Sequence, residues 1–243
     1  MKLLIIRHAD PDYSIDSLTP TGWQEAELLA HRMETLDTKA CYVSPLGRAR
    51  DTASLTLNRL GREAQVLDWL QEFPAKVQKP DKTEPGIAWD WLPQDWAEEE
   101  VFYHRDRWME HPVFQNSDIA PVYRQVVEGL DCLLSQHGYV RQGSHYRAER
   151  PNQDTIALFC HFGLECVLLS HLLNISPMPL WHGTCAAPTS VTVLNTEERQ
   201  KGLAYFRMST FGDTSHLYAA GREPSFAARF CETYEHFDPN RDN

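Results

Sequence analysis

One pattern constrains this chain of 243 residues more than any other: three times, a short apolar run stops at polar residues ahead of a helix signal. Residues 3–6 (Leu-Leu-Ile-Ile) end at Arg7-His8, residues 40–43 at Ser44-Pro45, and residues 155–160 at His161-Phe162-Gly163. Runs that are apolar at successive rather than alternate positions suit strands buried on both faces, as in parallel sheets covered by helices. Strands alternating with helices therefore predict an α/β fold, with a mainly parallel central sheet and helices on both faces. In such open sheets the carboxyl ends of the strands share one edge, where ligands bind.

The remaining elements follow from caps and periodicity. Thr19-Pro20 predicts a helix with Thr19 as N-cap and Pro20 in the first position, with Trp23, Ala26, Leu29, Ala30, Met33 and Leu36 on its apolar face. Ser44-Pro45 suggests the same arrangement for a helix carrying Arg48, Ala49, Thr52 and Ala53. Residues 64–70 form a third strand candidate, leading to Glu72. A helix is expected over residues 121–137, stopped by Gly138, then a polar loop over 140–153. After His161 a helix should run through Leu173, and residues 190–194 and 203–208 suggest two final strands.

Between about residues 74 and 120 the texture changes. Prolines mix with ten acidic residues, five Lys and Arg, and four of the seven tryptophans. We read residues 1–243 as one domain with this Trp-rich stretch as an insertion over the active site, because it starts directly after Glu72. Its aromatics, including Trp89, Trp91, Trp96, Phe102, Tyr103 and Trp108, fit a satellite core and a substrate wall equally well. If they wall the mouth, the acidic residues repel a second negative charge on a ligand and the aromatic faces stack against an apolar remainder.

The net charge of −11 argues against duplex nucleic acid or an anionic membrane surface as partner, since both demand a basic face. Any anion site must then be a local cluster of cations. The run at residues 3–6 is too short for a signal-peptide core or a membrane span. Six cysteines, Cys41, Cys132, Cys160, Cys166, Cys185 and Cys231, show no paired spacing and suggest reduced thiols in a cytoplasmic protein. His104, His111, His137 and His145 fit no standard metal spacing.

Two histidines and two arginines gathered at one sheet edge suit phosphoryl transfer. That chemistry needs an in-line nucleophile, cations on the non-bridging oxygens and a proton for the leaving alcohol. A neutral imidazole such as His8 can attack phosphorus, and nearby arginines keep it neutral by lowering its pKa. Arg7 and Arg48 can grip phosphoryl oxygens through forked hydrogen bonds, and His161 adds a donor. Glu72 is the candidate proton donor, with Asp81 and Glu84 as rivals; Ser44 is read chiefly as a helix cap.

These residues carry a family resemblance. Arg7-His8-Ala9 resembles the Arg-His-Gly signature of the histidine phosphatase (phosphoglycerate mutase-like) superfamily, and residues 18–26 resemble its LTxxGxxQA segment. Residues 44–53 match SPLxRAxxTA, Leu70-Gln71-Glu72-Phe73 resembles the segment bearing the acid, and His161-Phe162-Gly163 resembles HGG. The resemblance implies a metal-independent phosphomonoesterase working through a phosphohistidine on His8. Arg7, Arg48 and His161 would bind phosphate, Glu72 would be the proton donor, and no cofactor or metal would be needed. Ala9, Glu25 and Phe162 depart from the pattern, and Ser14 stands where many members carry asparagine. The expected partner is a small-molecule phosphate monoester, with assembly into homo-oligomers open. A phosphoglycerate mutase-type transferase, or a catalytically silent protein binding a phosphorylated ligand, are the alternatives.

Overall fold

The computed structural model describes residues 1–225; Cys231 lies outside them. In chain order the elements are β1 (Lys2–Arg7), the short pair β2 (Pro11–Asp12) and β3 (Ser17–Leu18), α1 (Pro20–Glu34), β4 (Thr38–Val43), α2 (Gly47–Leu60) and β5 (Ala64–Val66). A second short pair, β6 (Lys76–Val77) and β7 (Gly86–Ile87), leads to α3 (Glu100–Tyr103) and α4 (Ile119–Gln136). Then come β8 (Tyr139–Gln142), β9 (His145–Ala148), β10 (Thr155–Cys160), α5 (Phe162–Leu173), α6 (Pro177–Gly183), β11 (Val191–Gln200), β12 (Leu203–Asp213) and α7 (Ser215–Ala219).

One eight-stranded sheet, in the order β5-β4-β10-β1-β11-β12-β9-β8, forms the centre of the α/β fold. Its site-bearing half, β5 to β1, is parallel, and the antiparallel strands extend it from β11 outward. β1 and β10 are buried along nearly their whole length. Alternate residues face opposite layers. Leu4, Ile6, Ala157 and Phe159 pack with Leu29 and Met33 of α1 and Ala49 and Ala53 of α2. Leu3, Ile5, Ile156 and Leu158 pack with α4, α5 and the Trp-rich segment. α5 is apolar around most of its circumference, as a helix enclosed on all sides must be.

Several local expectations change. In α1 Thr19 is the N-cap, its hydroxyl accepting from the Gly22 N–H at 3.0 Å, but Trp23 lies largely exposed and Gly22 takes the inner face. There an added Cβ would sit 2.2 Å from the Asp10 carbonyl oxygen, so only glycine admits the approach. α2 starts at Gly47 with Leu46 as N-cap, two residues later than Ser44-Pro45 suggested, because the Ser44 hydroxyl is held at the site. The third strand ends at Val66, with a single 3-10 turn over Asp68–Leu70. Residues 140–153 are not simply a polar loop: β8 and β9 form a hairpin there. Its alternation of buried Tyr146 and Ala148 with polar residues was obscured by the charged side chains between them. β11 and β12 continue well beyond the expected final strands.

Candidate active site

The polar residues that end β1, β4 and β10 meet because those strands are neighbours in the sheet. β1 leads towards α1 on one face, whereas β10 leads into α5 on the other, so the crevice between them is a topological switch point. The ladder carries on past the strand ends, with the His8 N–H donating to the Cys160 carbonyl at 3.0 Å. The structure thus brings together Arg7, His8, Arg48, Glu72 and His161, the five residues expected from sequence.

His8 is buried, and its Nδ1 lies 2.7 Å from the Ala9 carbonyl oxygen. A carbonyl only accepts, so Nδ1 carries the proton and Nε2 keeps its lone pair. Burial, then the charges of Arg7 and Arg48, hold its pKa well below the usual histidine value. His161 stands beside it, with ring centroids 5.1 Å apart. Burial, then His8 and both arginines, keep His161 neutral as well. Its Nε2 lies 2.7 Å from the Ser44 hydroxyl, while Nδ1 is buried without a hydrogen-bond partner. Ser44 is therefore not the helix cap: it orients His161, and its Oγ also accepts from the Leu46 N–H at 3.2 Å.

Arg7, also buried, donates to the Ala186 carbonyl at 2.6 Å. Arg48 lies in the first turn of α2 and donates through Nη1 to Asp16 Oδ1 at 2.7 Å, whereas its Nε is buried without a partner. Asp16 was invisible from sequence. Its other oxygen accepts from the Gly47 N–H at 2.6 Å, tying the β2–β3 loop to the start of α2. It does so from left-handed backbone, which aspartate tolerates better than most residues.

Glu72 follows the 3-10 turn, and its Oε1 accepts from the Phe73 and Leu164 N–H groups at 2.8 and 3.0 Å. Loss of water raises its pKa, against the opposing pull of those two N–H groups and the arginines. The rivals fall away: Asp81 pairs with Lys82, and Glu84 is exposed in the β6–β7 connection. A Cβ on Gly163 would lie 2.8 Å from Glu72 Oε1 and 2.4 Å from the ring of Trp89, so both side chains close on the start of α5. The departures from the resemblance sit around this centre. Glu25 is buried and accepts from the Asp10 N–H at 3.1 Å, and Ser14 is exposed with its hydroxyl on Asp12.

The Trp-rich stretch divides. Trp91, Phe102 and Trp108 are buried in a satellite core continuous with the main one, and Trp96 stacks on His182 with centroids 4.7 Å apart. Tyr103 is exposed, and Trp89, buried in the same core, lies against Gly163 at the start of α5. Lys79, buried beneath, donates to the Trp89 and Asp90 carbonyls at 3.1 and 2.8 Å and fixes that turn. Sequence reasoning also missed Glu165, a fully buried carboxyl one turn into α5 whose charge environment includes Arg7 and Glu72. Among the described residues, no group of three or more His, Cys, Asp or Glu is arranged to hold a metal ion.

Comparison with known proteins agrees with this geometry. The model of the histidine phosphatase superfamily (branch 1) matches residues 3–208. No curated protein is significantly similar in sequence. Among solved structures, phosphoserine phosphatase from Entamoeba histolytica with 3-phosphoglyceric acid is similar at 19% identity and a TM-score of 0.58, over 89% of this chain and 98% of that one. A mycobacterial glucosyl-3-phosphoglycerate phosphatase is similar at 17% identity and a TM-score of 0.57, over 88% and 99%. YhfR of Bacillus stearothermophilus gives 21% and 0.55, over 88% and 98%. At these identities the likeness is one of fold.

Proposed function

Since the chain belongs to the histidine phosphatase superfamily (branch 1), we propose that it hydrolyses small organic phosphate monoesters through a phosphohistidine on His8. One observation carries the reading. A neutral imidazole with Nδ1–H fixed on Ala9 sits among buried donors, and among the described residues Arg48 Nε and His161 Nδ1 find no hydrogen-bond partner. Buried polar groups are rarely left unsatisfied, and phosphoryl oxygens would satisfy these.

Nε2 of His8 attacks phosphorus in line, and the P–O bond to the alcohol breaks with its electron pair going to the leaving oxygen. Arg7, Arg48 and His161 hold the non-bridging oxygens as charge redistributes. Glu72, whose pKa burial raises, gives its proton to the leaving oxygen. It then takes a proton from the water that attacks the phosphohistidine, releasing inorganic phosphate and free His8. The two arginines supply the charge that a metal would otherwise bring, and His161 adds a neutral donor, so the reaction proceeds without one.

Trp89 at the start of α5 and Asp16 on Arg48 favour a substrate with one phosphate and an uncharged, partly apolar remainder. A mutase must hold a multiply charged intermediate, and an acidic side chain at the phosphate-binding arginine opposes that; hydrolysis is the better reading. Buried Cys41, Cys160 and Cys166, all free thiols, suit a reducing cytoplasmic setting. Rapid quench with a ³²P-labelled ester, followed by peptide mapping, tests the mechanism. Acid-labile label on the His8 peptide is expected; label on serine or aspartate, or none during competent turnover, would refute it.

A further inference from the structure

We propose that a cavity at the far end of α5 is a second site, which binds a small organic anion with a flat apolar body. The cavity is about 340 Å³ in volume, and its lining includes Arg105, Arg141, Asn174, Met109, Tyr123 and one carboxylate, Asp106. It is separate from the reacting edge. His161 and Gly163 lie at the start of α5, whereas Ser170, His171 and Asn174 of the cavity lie at its end. A twelve-residue helix is about 18 Å long.

Two guanidinium groups are held side by side here. Arg141 Nη2 and Arg105 Nη1 both donate to Asn174 Oδ1, at 2.8 and 3.3 Å. Asn174 is fixed in left-handed backbone as the C-cap of α5, and its Nδ2 donates to the Ser144 carbonyl at 2.9 Å. Arg105 is part-neutralised by Asp106, its Nε donating to Oδ1 at 2.8 Å. Arg141 is not. Among the described residues it forms no ion pair: Nε donates to the Gly143 carbonyl at 2.6 Å, Nη1 to the His171 carbonyl at 3.3 Å, and the group stacks over Tyr146 at 4.9 Å. Asp131, the nearby carboxylate, is engaged by His171 Nε2 and the Tyr146 hydroxyl, all at 2.9 Å.

Neighbouring like charges repel unless an anion lies between them, and a guanidinium offers a carboxylate or phosphate a forked donor. In a chain of net charge −11, a cavity that gathers two arginines around one neutral amide stands out against its surroundings. Met109 and Tyr123 supply the apolar wall, with the fully buried Trp108 behind them, and the Tyr123 hydroxyl is occupied by Ser170 at 3.0 Å. Charge therefore recognises one end of the ligand, and stacking recognises its body.

Phenylphosphonate is a suitable probe, being an anion with an aromatic face and no ester bond to hydrolyse. Calorimetric titration of the full chain is expected to show two binding events. Arg105→Met and Arg141→Met should each weaken one of them at least tenfold and leave the other unchanged. Arg48→Met should weaken only the other event, which belongs to the reacting edge. A single event in the unaltered protein, or two events insensitive to both Arg105→Met and Arg141→Met, would overturn the proposal. Arg141→Met removes a stacked side chain and can cost stability; Arg105 is solvent-facing, so Arg105→Met carries the test if Arg141→Met does not fold.

Discussion

Glu165→Gln tests how far the site has been stripped of water. Glu165 has 1% of its surface exposed, and its carboxyl is pushed up to about 7. Burial is the main cause; the Thr192 hydroxyl and Arg7 pull the other way, and Glu72 adds to the rise. In the unfolded chain the same group titrates near 4.5. Between these two values the folded protein keeps a proton that the unfolded chain has released. Stability therefore falls as pH rises through that window and levels off above about 7. At about 1.4 kcal/mol per pKa unit, the full loss is about 3 kcal/mol. Glutamine has the shape of the neutral acid and does not titrate. Urea denaturation of both proteins from pH 4.5 to 8.5 should show the variant gaining about 3 kcal/mol over the unaltered protein across that range. Taking the difference cancels the titrating groups that do not interact with Glu165. A difference flat with pH would refute the reasoning, because it would mean that Glu165 titrates alike in both states.

Three further outcomes are expected. In the pH profile of kcat/KM, the acid-side fall set by His8 should lie well below pH 6.5, and activity should decline as pH rises through the raised pKa of Glu72. An acid limb near 6.5, or activity still climbing above pH 8, would contradict those assignments. Glu72→Gln should slow an alkyl phosphate by about 10²–10⁴-fold but an activated aryl phosphate far less, since a good leaving group needs no proton; equal losses would move the acid elsewhere. Gly163→Ala would place a Cβ 2.4 Å from the Trp89 ring and 2.8 Å from Glu72 Oε1. Overpacking should cost about 1–3 kcal/mol, offset by up to about 1 kcal/mol of helix propensity, and alkyl esters should again suffer most. Unchanged kinetics with both esters would show that neither side chain is held in place.

The sequence by itself determined the architecture of the reacting edge. Apolar runs at residues 3–6 and 155–160 can only be buried on both faces, so they form central strands, and the polar residues that end them must share one edge. That logic, with the family motifs, picked out Arg7, His8, Arg48, Glu72 and His161, all of which the fold brings together. Local pattern failed where neighbours in space outweighed neighbours in sequence. Ser44 reads as a helix cap until His161, 117 residues away, claims its hydroxyl. Asp16 reads as one more exposed acid until the β2–β3 loop folds onto the start of α2 and sets it on Arg48. Trp89 and Trp91, two residues apart in one acidic stretch, are both buried in the core, and Trp89 also meets Gly163 at the start of α5. Glu165 looks like an ordinary helical glutamate, and only enclosure between the sheet and its covering helices removes its water. Hydrophobic periodicity and caps are written over a few residues, and a sequence displays them. Desolvation and hydrogen-bond partners across a hundred residues belong to packing, and come into being only when the layers close.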